Sequence, residues 1–108
     1  MIHGVIEAIG LSESAVQRIR DVFRGCPRVE RVLLYGSRAE GTFKPGSDID
    51  LSLVGEELGF PDLARLDGEL DDLLLPQKFD LNLFHSLEPG AFRERVIQRS
   101  VVFYERQS

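Results

Sequence analysis

The chain alternates polar and apolar residues through Asp48-Ile49-Asp50-Leu51-Ser52-Leu53, and that period of two allows little besides a strand with one buried face. Ile49, Leu51 and Leu53 take the core side, which leaves Asp48, Asp50 and Ser52 together on the other. Two carboxylates on one strand face repel each other unless something positive sits against them. Upstream, Val32-Leu33-Leu34-Tyr35 is a continuous apolar run, the pattern of a strand covered on both faces. It breaks at Gly36-Ser37. Ser37-Arg38-Ala39-Glu40 then reads as one helical turn closed by Gly41. Thr42 to Ser47, with Pro45-Gly46 at its tip, turns the chain back toward Asp48. Ten residues separate Ser37 from Asp48.

The rest of the chain supplies elements to pack around these two strands. Ser12 to Arg24 is expected to be a helix with Ser12 as N-cap and Gly25 and Pro27 as the stop. Ala15, Ile19, Val22 and Phe23 form its apolar face, with Val16 at the edge. Before it, Val5, Ile6 and Ile9 fit either a short helix or loose packing. Pro61 opens a second helix that Pro76 ends, and Leu63, Leu66, Leu70, Leu73 and Leu74 make its buried stripe. Its acids, Asp62, Asp67, Glu69, Asp71 and Asp72, read as a solvated face. Phe79 to Phe84 is a third strand, with Phe79, Leu81 and Leu83 on one side and Asp80, Asn82 and Phe84 on the other. A helix from Glu88 or Pro89 to Gln98 is expected to carry Phe92, Val96 and Ile97 inward. Val101 to Tyr104 follows as a last strand or a packed tail. The order α-β-β-α-β-α, without repeats or linkers, describes one domain over residues 1–108. Its class is α+β, α/β-like, with a small mixed sheet flanked by helices.

Composition narrows the functional classes. A net charge of −5, with acids crowded between Glu56 and Asp72, lacks the basic stripe of a chain that grips a nucleic-acid backbone, so free nucleic acid is not the expected partner. The single cysteine, Cys26, excludes an internal disulfide and reads as a structural thiol. His3 and His85 are not expected to be ligands or bases. Residues Met1 to Ile6 lack the basic start and apolar core of a secretory signal, and no apolar run reaches the ~18 residues of a membrane span, so a cytoplasmic protein is expected.

Chemistry enters with a third acid. Asp80 is the one carboxylate in an otherwise apolar strand. If that strand neighbours the Asp48–Asp50 strand, three carboxylates meet on one sheet face. Mg²⁺, a hard cation, bridges such carboxylates to substrate phosphates, and two ions clamp the attacking and leaving oxygens of an in-line displacement. Gly36 lets the backbone approach a phosphate, and the N–H groups of the following turn favour an anion. The Ser37 hydroxyl suits a terminal phosphate oxygen. Arg38 and Lys44 are candidate charge partners for a leaving pyrophosphate. Tyr35 reads as core with room to line the site, and Asn82 shares the face of Asp80. Asp-x-Asp alone is a common strand pattern, and Gly-Ser before a turn is commoner still. Their combination with a third isolated acid is what a merely solvated surface does not explain.

Gly36-Ser37, ten residues, Asp48-x-Asp50 and a later Asp80 together resemble the signature of the polymerase β-like nucleotidyltransferase superfamily. The stretch Gly36-Ser-Arg-Ala-Glu-Gly-Thr-Phe-Lys-Pro-Gly-Ser-Asp-Ile-Asp-Leu51 is similar to the minimal nucleotidyltransferases, as are Leu70 to Pro76 and Val102-Phe103-Tyr104. The resemblance implies the fold of that superfamily. It implies that Asp48, Asp50 and Asp80 hold Mg²⁺, with Asp80 also helping to deprotonate the attacking hydroxyl, and that Gly36 and Ser37 hold the triphosphate of ATP or another NTP. It further implies transfer of a nucleoside monophosphate to a hydroxyl with release of pyrophosphate. Many minimal members are antitoxins that add AMP to a tyrosine of a HEPN-domain toxin, so a HEPN partner is expected. The absence of an appended acceptor-holding domain agrees with an acceptor presented by a partner or a second copy. Uncovered strand edges and small size point to a complex. Two alternatives stay open: transfer to a small-molecule hydroxyl, and an antitoxin that blocks its partner by contact alone.

Overall fold

The computed structural model describes residues 8–107. His3, Val5 and Ile6 therefore lie outside the described residues. Helix α1 (Glu13–Arg24) begins where the Ser12 hydroxyl accepts the Ala15 N–H at 3.1 Å, and ends at Gly25. Ala15, Val16, Ile19 and Phe23 are buried and Val22 only partly, so Val16 rather than Val22 completes the buried face.

Four strands form one mixed sheet in the order β3-β2-β1-β4. β1 (Arg31–Tyr35) runs antiparallel to β2 (Ile49–Val54), with Tyr35 opposite Asp50. β2 runs parallel to β3 (Phe79–Leu83), with Asp50 opposite Asp80 and Ser52 opposite Asn82. β4 (Val101–Glu105) closes the other side antiparallel to β1, so the C-terminal segment is a strand rather than a helix-end tail. Between β1 and β2 lies a single helical turn, α2 (Ser37–Glu40). Two further helices, α3 (Phe60–Asp71) and α4 (Ala91–Arg99), follow β2 and β3.

The alternation of the strands sorts the two faces of the sheet. Val32 and Leu34, Ile49, Leu51 and Leu53, and Leu83 meet Val16, Ile19 and Phe23 of α1 and Leu66 and Leu70 of α3 in one apolar core. The opposite face carries Tyr35, Asp50, Ser52, Asp80 and Asn82. α4 covers only part of it, chiefly through buried Val96 and through Phe92, whose ring meets Tyr35 edge-on at 5.5 Å.

Three expectations fail where packing, not periodicity, decides. α3 stops at Asp71 instead of running to Pro76, and Leu74 beyond it is 87% exposed with φ 58°. The helix has already ended when Leu74 is reached, so helical spacing no longer assigns its side. On α4, Phe92 and Ile97 are about half exposed, at 51% and 49%, and only Val96 is buried, although one edge of the Phe92 ring packs on Tyr35. The third concerns Arg38 and belongs to the site.

Candidate active site

Gly36 is the pivot. It sits at φ 79°, ψ −157°, a conformation essentially restricted to glycine, and it turns the end of β1 directly into α2. Space is as restrictive as torsion. A Cβ on Gly36 would overlap the Asp50 carboxylate, with Cγ only 3.3 Å away. The backbone at Gly36 therefore lies flat against the side chain of Asp50, at the point where α2 begins. Ser37 is the first residue of that turn and half-buried. Gly41, at φ 80°, ends the turn in the left-handed region, and its N–H donates to the Ser37 carbonyl.

The acids gather as the strand order dictates. Asp50 lies at the β1-facing and β3-facing centre of the site, opposite both Tyr35 and Asp80. Asp48 precedes β2 by one residue and is exposed. Burial, then the charges of Asp80 and Asp48, raise the Asp50 pKa, while Arg38 opposes them. The ordering makes this a place where negative charge is already crowded. Among the described residues, no group of three His, Cys, Asp or Glu side chains is close enough to hold a metal as they stand. The donor set nonetheless suits Mg²⁺. It is all carboxylate oxygen, two of its members face each other across adjacent strands, and the raised Asp50 pKa records a site that a cation would relieve.

Beneath the acids runs a polar chain. The Ser52 hydroxyl donates to Asn82 Oδ1 at 2.6 Å, and Asn82 Nδ2 donates to the Tyr35 hydroxyl at 2.9 Å. Ser52 is fully buried, so the bond to Asn82 satisfies a group that would otherwise be costly. Burial, followed by the nearby charges of Asp80 and Asp50, pushes the Tyr35 pKa up to about 12. Tyr35 thus keeps its proton and orients with its oxygen toward Asn82. The alternation already placed Ser52 and Asn82 on the acidic face. Their pairing required the parallel register.

Arg38 does not reach toward a phosphate, contrary to expectation. It is 1% exposed, and its guanidinium turns inward to the chain's own carbonyls. Nη1 donates to Ile9 O at 2.9 Å and Gly10 O at 3.2 Å, while Nη2 and Nε donate to Ser47 O at 3.0 and 3.2 Å and Nη2 also to Pro45 O at 3.3 Å. The Phe43 ring lies 5.1 Å from its central carbon. Burial lowers its pKa and Asp50 opposes the effect. Arg38 therefore braces the loop that ends in Asp48. Carbonyls that ask for a donor outcompete solvent once the guanidinium is enclosed, because an arginine fork meets several of them at once.

Lys44 stays exposed beside this loop, where its backbone N–H donates to the Ser47 hydroxyl at 2.8 Å. Sequence reasoning missed Glu40. Arg95 donates to its two carboxylate oxygens at 3.1 and 3.0 Å, and Arg99 lies 3.6 Å away. The pair ties α2 to α4, and the hydrogen bond from Arg95 holds the Glu40 pKa below its ordinary value. The i, i+4 spacing of Arg95 and Arg99 was the available signal, though it named no partner.

Comparison with known proteins agrees with this layout. A family model described as polymerase beta, nucleotidyltransferase matches residues 17–108. No curated protein matches the chain. Among solved structures, a toxin–antitoxin complex with AMP-PNP superimposes with a TM-score of 0.69 at 22% identity, over 85% of this chain and 74% of that one. The MntA-HepT toxin–antitoxin complex gives 0.65 at 18% identity, over 88% and 74%. A complex of tri-AMPylated Shewanella oneidensis HEPN toxin with MNT antitoxin also gives 0.65 at 18%, over 87% and 72%. At these identities the likeness is one of fold. No helix among the described residues is long and apolar enough to cross a membrane.

Proposed function

The chain belongs to the polymerase beta nucleotidyltransferase family, and on that premise we propose that it transfers AMP from ATP to a tyrosine hydroxyl of a HEPN-type toxin, and so acts as a cytoplasmic antitoxin. The observation that carries the reading is the packing of the Gly36 backbone on the carboxylate of Asp50, which itself stands opposite Asp80. Neighbours that share the fold include toxin–antitoxin complexes, one with AMP-PNP and one with an AMPylated HEPN toxin, which supports the choice of nucleotide and partner.

In this reading one domain supplies the whole reaction site. Asp48, Asp50 and Asp80 are the residues that would hold Mg²⁺, two ions in the full arrangement, and bound there it would neutralise phosphate charge. Gly36 lets the triphosphate lie against the backbone, and the Ser37 hydroxyl and the first-turn N–H groups donate to its oxygens. Asp80 takes the proton of the acceptor hydroxyl. That oxygen bonds to the α-phosphorus, the bond from the α-phosphorus to the bridging oxygen breaks, and pyrophosphate leaves with the electron pair. Exposed Lys44 is the side chain left to meet the pyrophosphate, since Arg38 is committed to the loop.

The test is direct. The protein is incubated with ATP labelled at the α-phosphate, Mg²⁺ and a HEPN-type chain encoded beside it. Label is expected on a tyrosine of the partner and is expected to vanish with Asp48→Ala plus Asp50→Ala. A folded pair that acquires no label, or label undiminished in the double variant, overturns the reading. A double variant that still neutralises its partner in cells marks a contact-only antitoxin instead.

A further inference from the structure

α2 is a single turn, and its side chains divide between two sides. Arg38 is buried on the chain's own carbonyls, and Ala39 packs on the core. Ser37 and Glu40, three residues apart, are neighbours on the side that is left. α4 lies along that side. Phe92, Arg95 and Arg99 follow one another at helical spacing and form one stripe. Phe92 rests on Tyr35, the residue before Gly36, and both arginines reach Glu40. The stripe therefore runs from the Gly36 end of α2 to its last residue.

The charges on this stripe do not balance. Two guanidinium groups meet one carboxylate, and among the described residues neither is paired with another acid. Arg95 and Arg99 also stand four apart, where like charges repel. Glu40 occupies Nε and Nη2 of Arg95, whereas Arg99 at 3.6 Å is outside hydrogen-bond distance of it. The arginine side chains are 64% and 62% exposed and that of Glu40 only 16%, so the carboxylate is covered and the guanidinium groups face outward. Tying α2 to α4 takes one arginine. The second leaves excess positive charge on the Ser37 side of the turn. In the glycine-rich stretch itself, Arg38 is committed to its loop and Lys44 supplies one exposed ammonium.

We infer that Arg95 and Arg99 bind the β- and γ-phosphates of the nucleoside triphosphate, with Glu40 as the positioning residue that holds them on the Ser37 side of α2. A guanidinium offers a planar pair of donors that matches two phosphate oxygens, and it keeps its charge as pyrophosphate departs. Glu40 neutralises one of the two cations, so the pair retains affinity for an anion. The inference rests on the proposed nucleotidyl transfer and adds which side chains receive the leaving group.

Calorimetric titration of the full chain in Mg²⁺ separates phosphate binding from nucleoside binding. The probes are AMP-PNP, pyrophosphate and AMP, with no acceptor present. Arg99→Gln and Arg95→Gln should each weaken AMP-PNP and pyrophosphate about tenfold, the loss of one charge-assisted contact, and leave AMP within about twofold. Arg93→Gln removes a charge from the same helix, where that guanidinium lies 5.5 Å from the Phe84 ring, and should change none of the three. A purely structural tie predicts instead a lower melting temperature for Arg95→Gln with AMP-PNP affinity intact. AMP-PNP held as tightly by both variants as by the parent, AMP weakened equally, or Arg93→Gln as damaging as the others each overturns the inference and leaves the proposed reaction standing. A parent chain that binds none of the probes, alone or with the HEPN-type partner, overturns the proposed function itself.

Discussion

Replacing Gly36 by alanine tests the site and the fold in one step. Two costs are separable. The backbone at φ 79°, ψ −157° is nearly confined to glycine, and holding alanine there costs about 1–3 kcal/mol. The new methyl also overlaps the Asp50 carboxylate, which must rotate away from Gly36 and from its place opposite Asp80. For a domain of this size each kcal/mol lowers the midpoint of thermal unfolding by roughly 4–8 °C. Urea unfolding followed by circular dichroism should therefore show Gly36→Ala destabilised by about 1–3 kcal/mol from the torsion, plus a steric part. Asp50→Ala removes the steric partner. In its background the cost of Gly36→Ala should fall to the torsional part, and the difference between the two costs measures the contact. If the proposed AMP transfer is the activity, Gly36→Ala alone should lower it in parallel with Asp50→Ala, since one displaces and the other removes the same carboxylate. If Gly36→Ala unfolds like the parent, or if its cost is the same with and without Asp50, the packing of backbone on carboxylate is refuted.

Other perturbations address the residues around this pivot. Arg38→Ala should cost about 1–3 kcal/mol, because it leaves the buried Ile9 carbonyl without a donor and frees the partly exposed carbonyls of Gly10, Pro45 and Ser47 to water. Arg38→Lys should recover only part of this, since an ammonium cannot span them, and a variant that loses ATP affinity at full stability would return Arg38 to the phosphates. The Glu40 pKa is depressed by Arg95, so its pairing contributes fully above the ordinary carboxylate range and is lost as pH falls through the lowered value. Glu40→Gln should therefore flatten that acid limb of the melting profile, and an unchanged limb would show that the ion pair contributes nothing. Leu74 pays for its positive φ without burial in return, so Leu74→Gly should stabilise by about 0.5–1 kcal/mol in urea unfolding. A loss of stability there would mean that the leucine is packed.

What was legible in the sequence is what depends on near neighbours. The alternation from Asp48 to Leu53, the apolar run into Gly36 and the turn chemistry at Gly41 and Pro45-Gly46 each act over a few residues, and each element appears where those signals place it. A strand's period also assigned Asp50, Ser52, Asp80 and Asn82 to the polar side, because the two faces of a pleated strand are set by its own covalent geometry. The order of strands lay beyond that reach. Asp50 and Asp80 are thirty residues apart in the chain, and only parallel pairing of β2 with β3 makes them opposite. The same register joins Ser52 to Asn82 and, through it, to Tyr35. Arg38 shows the limit most clearly. Its position in the glycine-rich stretch pointed to phosphate, but a guanidinium goes where enclosed acceptors are densest, and those carbonyls were gathered by the folding of residues 9–10 against 45–47. Local sequence therefore determined which residues could serve the site and on which faces they stand. Tertiary structure decided which of them meet, because meeting depends on strand order and on competition for buried partners across the whole chain.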